Sequence, residues 1–362
     1  MAGLSGLAAS VVGSGVFGLT TALQLARQGA CVTLYDPAPL GDNASGVAAG
    51  MLAPAMESGL DAAAADHFAL LLRARDRWPE FLSSLGLGTD ALGREGAMFV
   101  AGATEVAAVK GRLEAAGAQA ELLNRAQALA MAPGLALSDA EQALLAPQDW
   151  RLSPARLLRS LRAAYDQAGG QMRYERVGVT GGRLATEDGV LLASDVVVLA
   201  SGAQASELAD AAPELTLLQP VKGQILHFEG GPSTGPVIRT PRGYLAPQPE
   251  GAVAGATMEP GLSDRTTDPA TLAALKAEAS RLFPALAAAP ARGMAGVRAT
   301  TPDGLPLVGR SAAGSDVVLC VGARRNGWLL APLAAEIVVV TLLGTPAGRD
   351  AEPLSPGRFG PA

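Results

Sequence analysis

Histidine and cysteine are almost missing from this chain of 362 residues: two of each, His67 and His227, Cys31 and Cys320, widely separated. A metal site or a disulfide framework needs such residues clustered, so neither is expected. Both cysteines lie in apolar runs, CVTLY and VVLCV, and are read as buried thiols. Lysine is scarce as well, with only Lys110, Lys222 and Lys276, and the net charge is −6. Without a basic stripe, no nucleic-acid partner is expected. Charged residues make up 17% and mean hydropathy is +0.25, yet the apolar run near the end, Ile337 to Leu343, is short. A membrane span requires about 20 such residues, so none is expected. The opening MAGLSGLAAS lacks a basic segment before its apolar residues, which predicts no secretory leader and a cytoplasmic location.

What is present is apolar and turn-rich: 49% hydrophobic residues, 44 Gly and 25 Pro. That excludes a disordered chain, and at about 100–200 residues per domain the length predicts two domains. Apolar AASVV (8–12), glycines at 13, 15 and 18, a helical pattern from Val16 to Gln28 and apolar CVTLY (31–35) form a strand–helix–strand opening. Spacing of apolar residues predicts one long helix from Asp61 to Leu85, bent at Pro79, and a strand at AMFVA (97–101). Helices are predicted at 104–116 and 124–130. Ser153 followed by Pro154 marks another helix start. MRYERV and RLATEDG read as strands with a hairpin, and SDVVVLASG as a buried strand. Between about 216 and 294 the texture changes to alternating strands, VKGQILHF, RGYLAP and AVAGATM, then a helix from Pro269 to Phe283. Buried strand and helix return at VVLCVG and Leu330 to Leu343. Parallel-sheet texture at both ends of the chain, with antiparallel texture between, predicts a doubly wound α/β domain with a second domain inserted in pieces.

The glycines spell Gly13-Ser14-Gly15-Val16-Phe17-Gly18 between a predicted strand and helix, with Asp36 18 residues beyond Gly18. Such a motif permits a tight turn, close approach of backbone to a pyrophosphate and close helix packing, while the acid accepts a ribose hydroxyl. It does not choose between NAD and FAD. The dense small residues of Ala44-Ser45-Gly46-Val47-Ala48-Ala49-Gly50-Met51-Leu52-Ala53-Pro54 let backbone approach a flat ring, although alone they also suit a surface loop.

Two further stretches decide the matter. GVRATTPDGLPLVG (296–309) and VGARRNGWLLAP (321–332) resemble the C-terminal signature of the D-amino-acid-oxidase-like flavoproteins. With SGVAAGMLAP, PVKG (220–223) and GATMEPG (255–261), the sequence is most similar to the glycine oxidases of thiamine biosynthesis, over residues 10–345. The resemblance implies an α/β fold: a Rossmann-like FAD-binding domain with an inserted antiparallel-sheet α+β substrate domain. The FAD-binding part is expected at 1–80, 150–215 and 295–362, and the substrate part at 81–149 and 216–294.

The resemblance further implies FAD on Gly13, Gly15, Val16, Phe17, Gly18, Asp36, Pro37, Ala44, Ser45, Ala49, Gly50, Met51, Val177 and Gly202. It places the loop Ala323, Arg324, Asn326, Gly327, Trp328 and Leu329 at the flavin ring. Pro332 suits a first helical turn, which would aim a helix N-terminus at that ring. The family pattern assigns the substrate carboxylate to Arg298, assisted by Tyr244, with Arg325 nearby; otherwise Arg298 is a surface ion pair and Tyr244 core packing. Residues 296–303 hold no cysteine, so non-covalent FAD is expected. Ala323-Arg324 stand where relatives often carry an aromatic or histidine pair, so the pocket shape is expected to differ there. The implied activity is oxidation of glycine or another small amino acid or secondary amine to 2-oxo acid, ammonia and hydrogen peroxide, with molecular oxygen as acceptor. The alternatives are an amino-acid dehydrogenase with another acceptor, a tRNA-modifying flavin module and a flavin protein without turnover. A homo-oligomer is compatible with the sequence.

Overall fold

The computed structural model describes residues 3–314 and 316–360. A six-stranded sheet forms one side of the molecule, in the spatial order Leu307–Arg310, Val317–Val321, Val196–Leu199, Ala8–Val12, Cys31–Tyr35, Gln171–Arg173. All its neighbours are parallel except the outer pair, Leu307–Arg310 with Val317–Val321. Parallel strands covered on both faces read as continuous apolar runs, and Val196–Leu199 and Val317–Val321 are buried at every position. One face packs the helices Val16–Arg27, Pro154–Gln167 and Gly327–Leu342 into a single core with Leu19, Leu23, Leu161, Leu330 and Val338. The other face is closed by the turns of residues 202–218, through Leu208 and Leu215.

A nine-stranded sheet of mainly antiparallel strands makes the other side. Its long strand Gln219–Glu229 pairs with Ala291–Thr300 on one edge and with Gly251–Gly255 and Glu259–Pro260 on the other. Beyond follow Gly243–Gln248, Val237–Thr240, Ala97–Gly102, Glu141–Ala146 and Glu121–Leu123. The two-residue period of a strand separates its faces. Phe99, Ile225, Ala246 and Val253 meet the helices Pro54–Leu60 and Ala103–Ala115, while Met98, Leu226, Leu245 and Ala254 meet Pro269–Leu282. The expected domain boundary at residue 295 falls inside the Ala291–Thr300 strand, and Phe81, Leu82 and Leu92 join the core of the parallel sheet.

Several sequence expectations need correction. The long helix of 61–85 is three pieces, a 3-10 turn Ala62–His67 and the helices Phe68–Asp76 and Trp78–Ser84. Asp61 caps the first through Ala63 N–H, and Pro79, unable to donate to the carbonyl of Arg75, forces a restart at Trp78. In MRYERV only Met172 and Arg173 pair in the six-stranded sheet, as part of Gln171–Arg173; the hairpin is Val177–Thr180 with Arg183–Thr186. Cys320 is buried but Cys31 is exposed, because Val32 and Leu34 take the inward positions of that strand. The last helix begins at Gly327, so Pro332 lies inside it rather than in its first turn. None of the described helices is long and apolar enough to cross a membrane.

Candidate active site

The glycine turn is built as its spacing demands. Gly13 has φ 104°, and a Cβ on it would stand 2.5 Å from the Ala200 carbonyl oxygen. A Cβ on Gly18 would stand 1.7 Å from the Gly13 carbonyl oxygen, so only glycine lets the helix start this close to the first strand. Ser45 Oγ accepts the Val16 N–H at 2.9 Å. Asp36 organises the turn itself: its Oδ2 accepts from Ser14 N and Oγ at 2.7 and 2.8 Å, and its Oδ1 from Ala38 N at 2.9 Å.

Above this turn runs a crevice of about 650 Å³. It is lined by Gly13, Gly15, Val16, Phe17, Asp36, Pro37, Ala44, Ser45, Val177, Gly202, Ala323, Arg324, Gly327 and Trp328, all proposed from sequence as cofactor contacts. Gly18 serves beneath it as packing. Two polar groups in the lining, Asn43 Nδ2 and Ser201 Oγ, are buried without a hydrogen-bond partner. Asn43 turns its Oδ1 to cap the Ala44–Val47 helix through Ser45 and Gly46 N–H, which leaves the amide nitrogen as an unused donor. A long crevice with a glycine cradle, a helix N-terminus and unused donors fits a dinucleotide such as FAD. Trp328 Nε1 donates to Ser45 O at 3.0 Å and ties the 323–329 loop to the 44–47 helix. Leu329 is fully buried in the core and lines neither cavity, which corrects its assignment to the cofactor.

A second cavity of about 510 Å³ shares Ala44, Ala48, Arg298, Arg325 and Trp328 with the first, so the two meet there. Ala49, Gly50, Met51 and Asn326 line only this second cavity. Its floor is one rung of the mixed sheet: Ile225, Gly255, Tyr244, Arg239 and Phe99 are successive register partners, at about 4.8 Å per step. The Pro54–Leu60 helix contributes Glu57 over this floor. Its first amides, Ala55 and Met56 N–H, are held by the buried Asp149 carboxyl at 2.8 and 2.9 Å. Burial pushes the Asp149 carboxyl up to about 7 against the pull of those two donors.

Charge in the second cavity is sorted by pairing. Glu57 Oε1 accepts from Arg239 Nη2 and Arg325 Nη2, each at 3.1 Å. Burial opposes ionisation of Glu57, but Arg325 and Arg239 outweigh it and hold the carboxyl below its usual range. Asp61 pairs with Arg324 and, at 3.4 Å, with Arg325. Among the described residues, Arg298, at the junction of the cavities, meets only the Thr257 carbonyl at 3.4 Å and Met258 Sδ at 3.7 Å. Burial pushes its guanidinium down from the usual value, and burial pushes the Tyr244 hydroxyl up against the pull of Arg298. The structure therefore brings Arg298, Tyr244 and Arg325 to one cavity, with the Arg325 fork already engaged by carboxylates. The sequence reading missed Glu57, Asp61, Arg239 and Asp149. The acid at 57 within an otherwise apolar helix start, PAMESGL, was the one visible sign.

A sheet wrapped around a dinucleotide crevice, with an arginine-lined cavity at its inner end, defines a nucleotide-dependent oxidoreductase. The chain belongs to the family described as DAO, FAD dependent oxidoreductase, which it matches over residues 9–340. It is 28% identical over 346 residues to a glycine oxidase of Geobacillus kaustophilus, covering 91% of each chain. The crystal structure of glycine oxidase from that organism superposes with a TM-score of 0.85 at 26% identity, covering 97% of this chain and 99% of that one. Similarity extends to a tRNA 5-methylaminomethyl-2-thiouridine biosynthesis bifunctional protein of Maricaulis maris, 32% over 360 residues, and to a bifunctional ThiO/ThiG protein of Trichormus variabilis, 31% over 353 residues. The match covers 97% of this chain with the former and 91% with the latter, but only 55% and 51% of those longer proteins.

Proposed function

We propose that the chain is an oxidase of glycine or another small amino acid or secondary amine, with FAD held non-covalently and molecular oxygen as acceptor. The products are a 2-oxo acid, hydrogen peroxide and ammonia, or a primary amine in place of ammonia where the substrate is an N-alkyl amino acid. One observation carries this reading: Arg298, half-buried where the cofactor crevice meets the inner cavity, has no carboxylate partner among the described residues, whereas Arg239, Arg324 and Arg325 each have at least one. Its planar fork suits a carboxylate through two parallel charge-assisted bonds. Tyr244 adds a hydroxyl donor. The carboxylate so fixed orients the substrate's Cα at the junction with the crevice, and the apolar walls of Met51, Ile225 and Phe99 exclude water.

FAD, when bound, takes up the two electrons. This chain's own residues would hold it: Asn43 and Ser201 would offer their unused donors, the N-terminus of the Val16–Arg27 helix would suit the pyrophosphate, and Asp36 would offer a ribose acceptor. Cys320 lines the crevice, but burial pushes its thiol up to about 12, which leaves it unreactive and supports non-covalent binding. We assign the cofactor to 1–80, 150–215 and 295–362 and the substrate to 81–149 and 216–294, with Phe81, Leu82 and Leu92 packed on the cofactor side and the Ala291–Thr300 strand shared between the two. Similarity to the ThiO/ThiG protein supports a place in thiamine biosynthesis. Peroxide release is the test of the acceptor. Stoichiometric peroxide from glycine or sarcosine under air is expected, and flavin reduction that only a quinone reverses refutes the oxidase assignment.

A further inference from the structure

We propose that Glu57, by occupying Arg239 and Arg325, leaves the substrate cavity a single open guanidinium, so that it favours amines carrying one carboxylate over those carrying two. The inference rests on the carboxylate-clamp reading above and extends it to substrate class. Arg239, Arg298 and Arg325 line the inner cavity beside the junction, and among the described residues Glu57 is the one buried carboxylate of that lining. Its Oε1 engages both Arg239 and Arg325, and Asp61 takes the other branch of Arg325 from outside the cavity. Arg298 alone is left to be matched by substrate. The remaining charges, Arg112 and Glu105, stand exposed on the rim, with Arg112 donating to the Gly59 carbonyl and Glu105 accepting from Gly102 N–H.

Glu57 is only 4% exposed, and its helix is fixed by Asp149, so it cannot swing away when a ligand enters. Arg239 is equally constrained: it donates to Met51 Sδ at 3.0 Å and lies 5.9 Å from the Tyr244 ring centroid. A second carboxylate on the substrate would therefore meet the Glu57 charge and two arginines whose forks are taken. To bind, it would have to displace the Glu57 carboxylate from them, and in a water-poor cavity those ion pairs are weakly screened. Removing the Glu57 charge releases Arg239 and one branch of Arg325 and creates a second anion site.

The test uses the FAD-loaded protein and two ligands of one shape, iminodiacetate and its monoamide, N-(carbamoylmethyl)glycine, which differ by one charge. Perturbation of the flavin absorbance gives each Kd, and turnover gives kcat/KM. The parent is expected to favour the monoamide by about tenfold or more, and Glu57→Gln to bring the ratio within about threefold or reverse it. The double variant Glu57→Gln/Arg239→Gln restores the original net charge and is expected to restore the preference. Equal affinity of the parent for both ligands overturns the proposal, as does an unchanged ratio in a folded Glu57→Gln. The parental ratio decides alone if the variants do not fold. If glycine, sarcosine and both ligands all leave the flavin unperturbed, the carboxylate clamp itself fails, and this proposal with it.

Discussion

Gly223→Ala is expected to disable the substrate clamp without touching it chemically. Gly223 lies in the Gln219–Glu229 strand opposite Gly296, in a conformation open to any residue. A Cβ there would stand 2.1 Å from Arg298 Nη1, 2.5 Å from Nη2 and 2.6 Å from Cζ. Those atoms end a flexible side chain, so the strand survives and the guanidinium must move. Losing a charge-assisted interaction with the substrate carboxylate costs about 1.5–3 kcal/mol, or roughly 10- to 150-fold in kcat/KM. FAD content and Tm are expected to stay near parental values, because Gly223 lines only the inner cavity. Steady-state kinetics with glycine and sarcosine, beside flavin spectra and thermal melts, make the assay. A folded, flavin-loaded Gly223→Ala whose kcat/KM is within about twofold of the parent refutes the reasoning, since a tenfold loss is the minimum expected. Arg298→Lys provides the direct comparison and is expected to raise KM sharply, because a point charge replaces a fork.

Gly18→Ala forces a Cβ against the Gly13 carbonyl, a backbone atom that cannot yield, so loss of flavin retention and a lower Tm are expected in a melt with added FAD. Asp36→Ala removes three acceptor bonds from the glycine turn and is expected to weaken FAD binding by roughly 10- to 150-fold, measured by quenching of flavin fluorescence. Asp149 binds its proton more tightly folded than unfolded, between its ordinary 3.8 and about 7. Its contribution to stability is therefore full at low pH and lost as pH rises through about 7. Asp149→Asn is expected to flatten that decline in Tm, and an unchanged slope counts against the assignment.

Local chemistry was legible in the sequence where a residue's role is fixed by its neighbours. The Gly13–Gly18 spacing and the Ser153–Pro154 helix start were both visible because each acts within a turn of itself. The long helix of 61–85 was misread because apolar spacing continues across Arg77 while the backbone does not. Cys31 was misread because an apolar run does not say which face a strand end turns outward. The charge network of the inner cavity was beyond reach for a different reason. Glu57 meets Arg239 across 182 positions and Arg325 across 268, and Asp149 reaches Ala55 across 94. Apart from the apolar setting of Glu57 in PAMESGL, nothing near these residues in sequence distinguishes them from surface charges; only the sheet register and the helix laid over it bring them together.

The central claim is that a substrate carboxylate on Arg298 places an amine for oxidation by the bound flavin. Anaerobic titration of the FAD-loaded protein tests it directly, with glycine, sarcosine, D-alanine and L-proline compared against methylamine, dimethylamine, ethylamine and pyrrolidine, their analogues without the carboxyl group. Bleaching of the flavin by at least one of the acids and by none of the simple amines is the expected result. Bleaching by the amines with none from the acids would contradict the account.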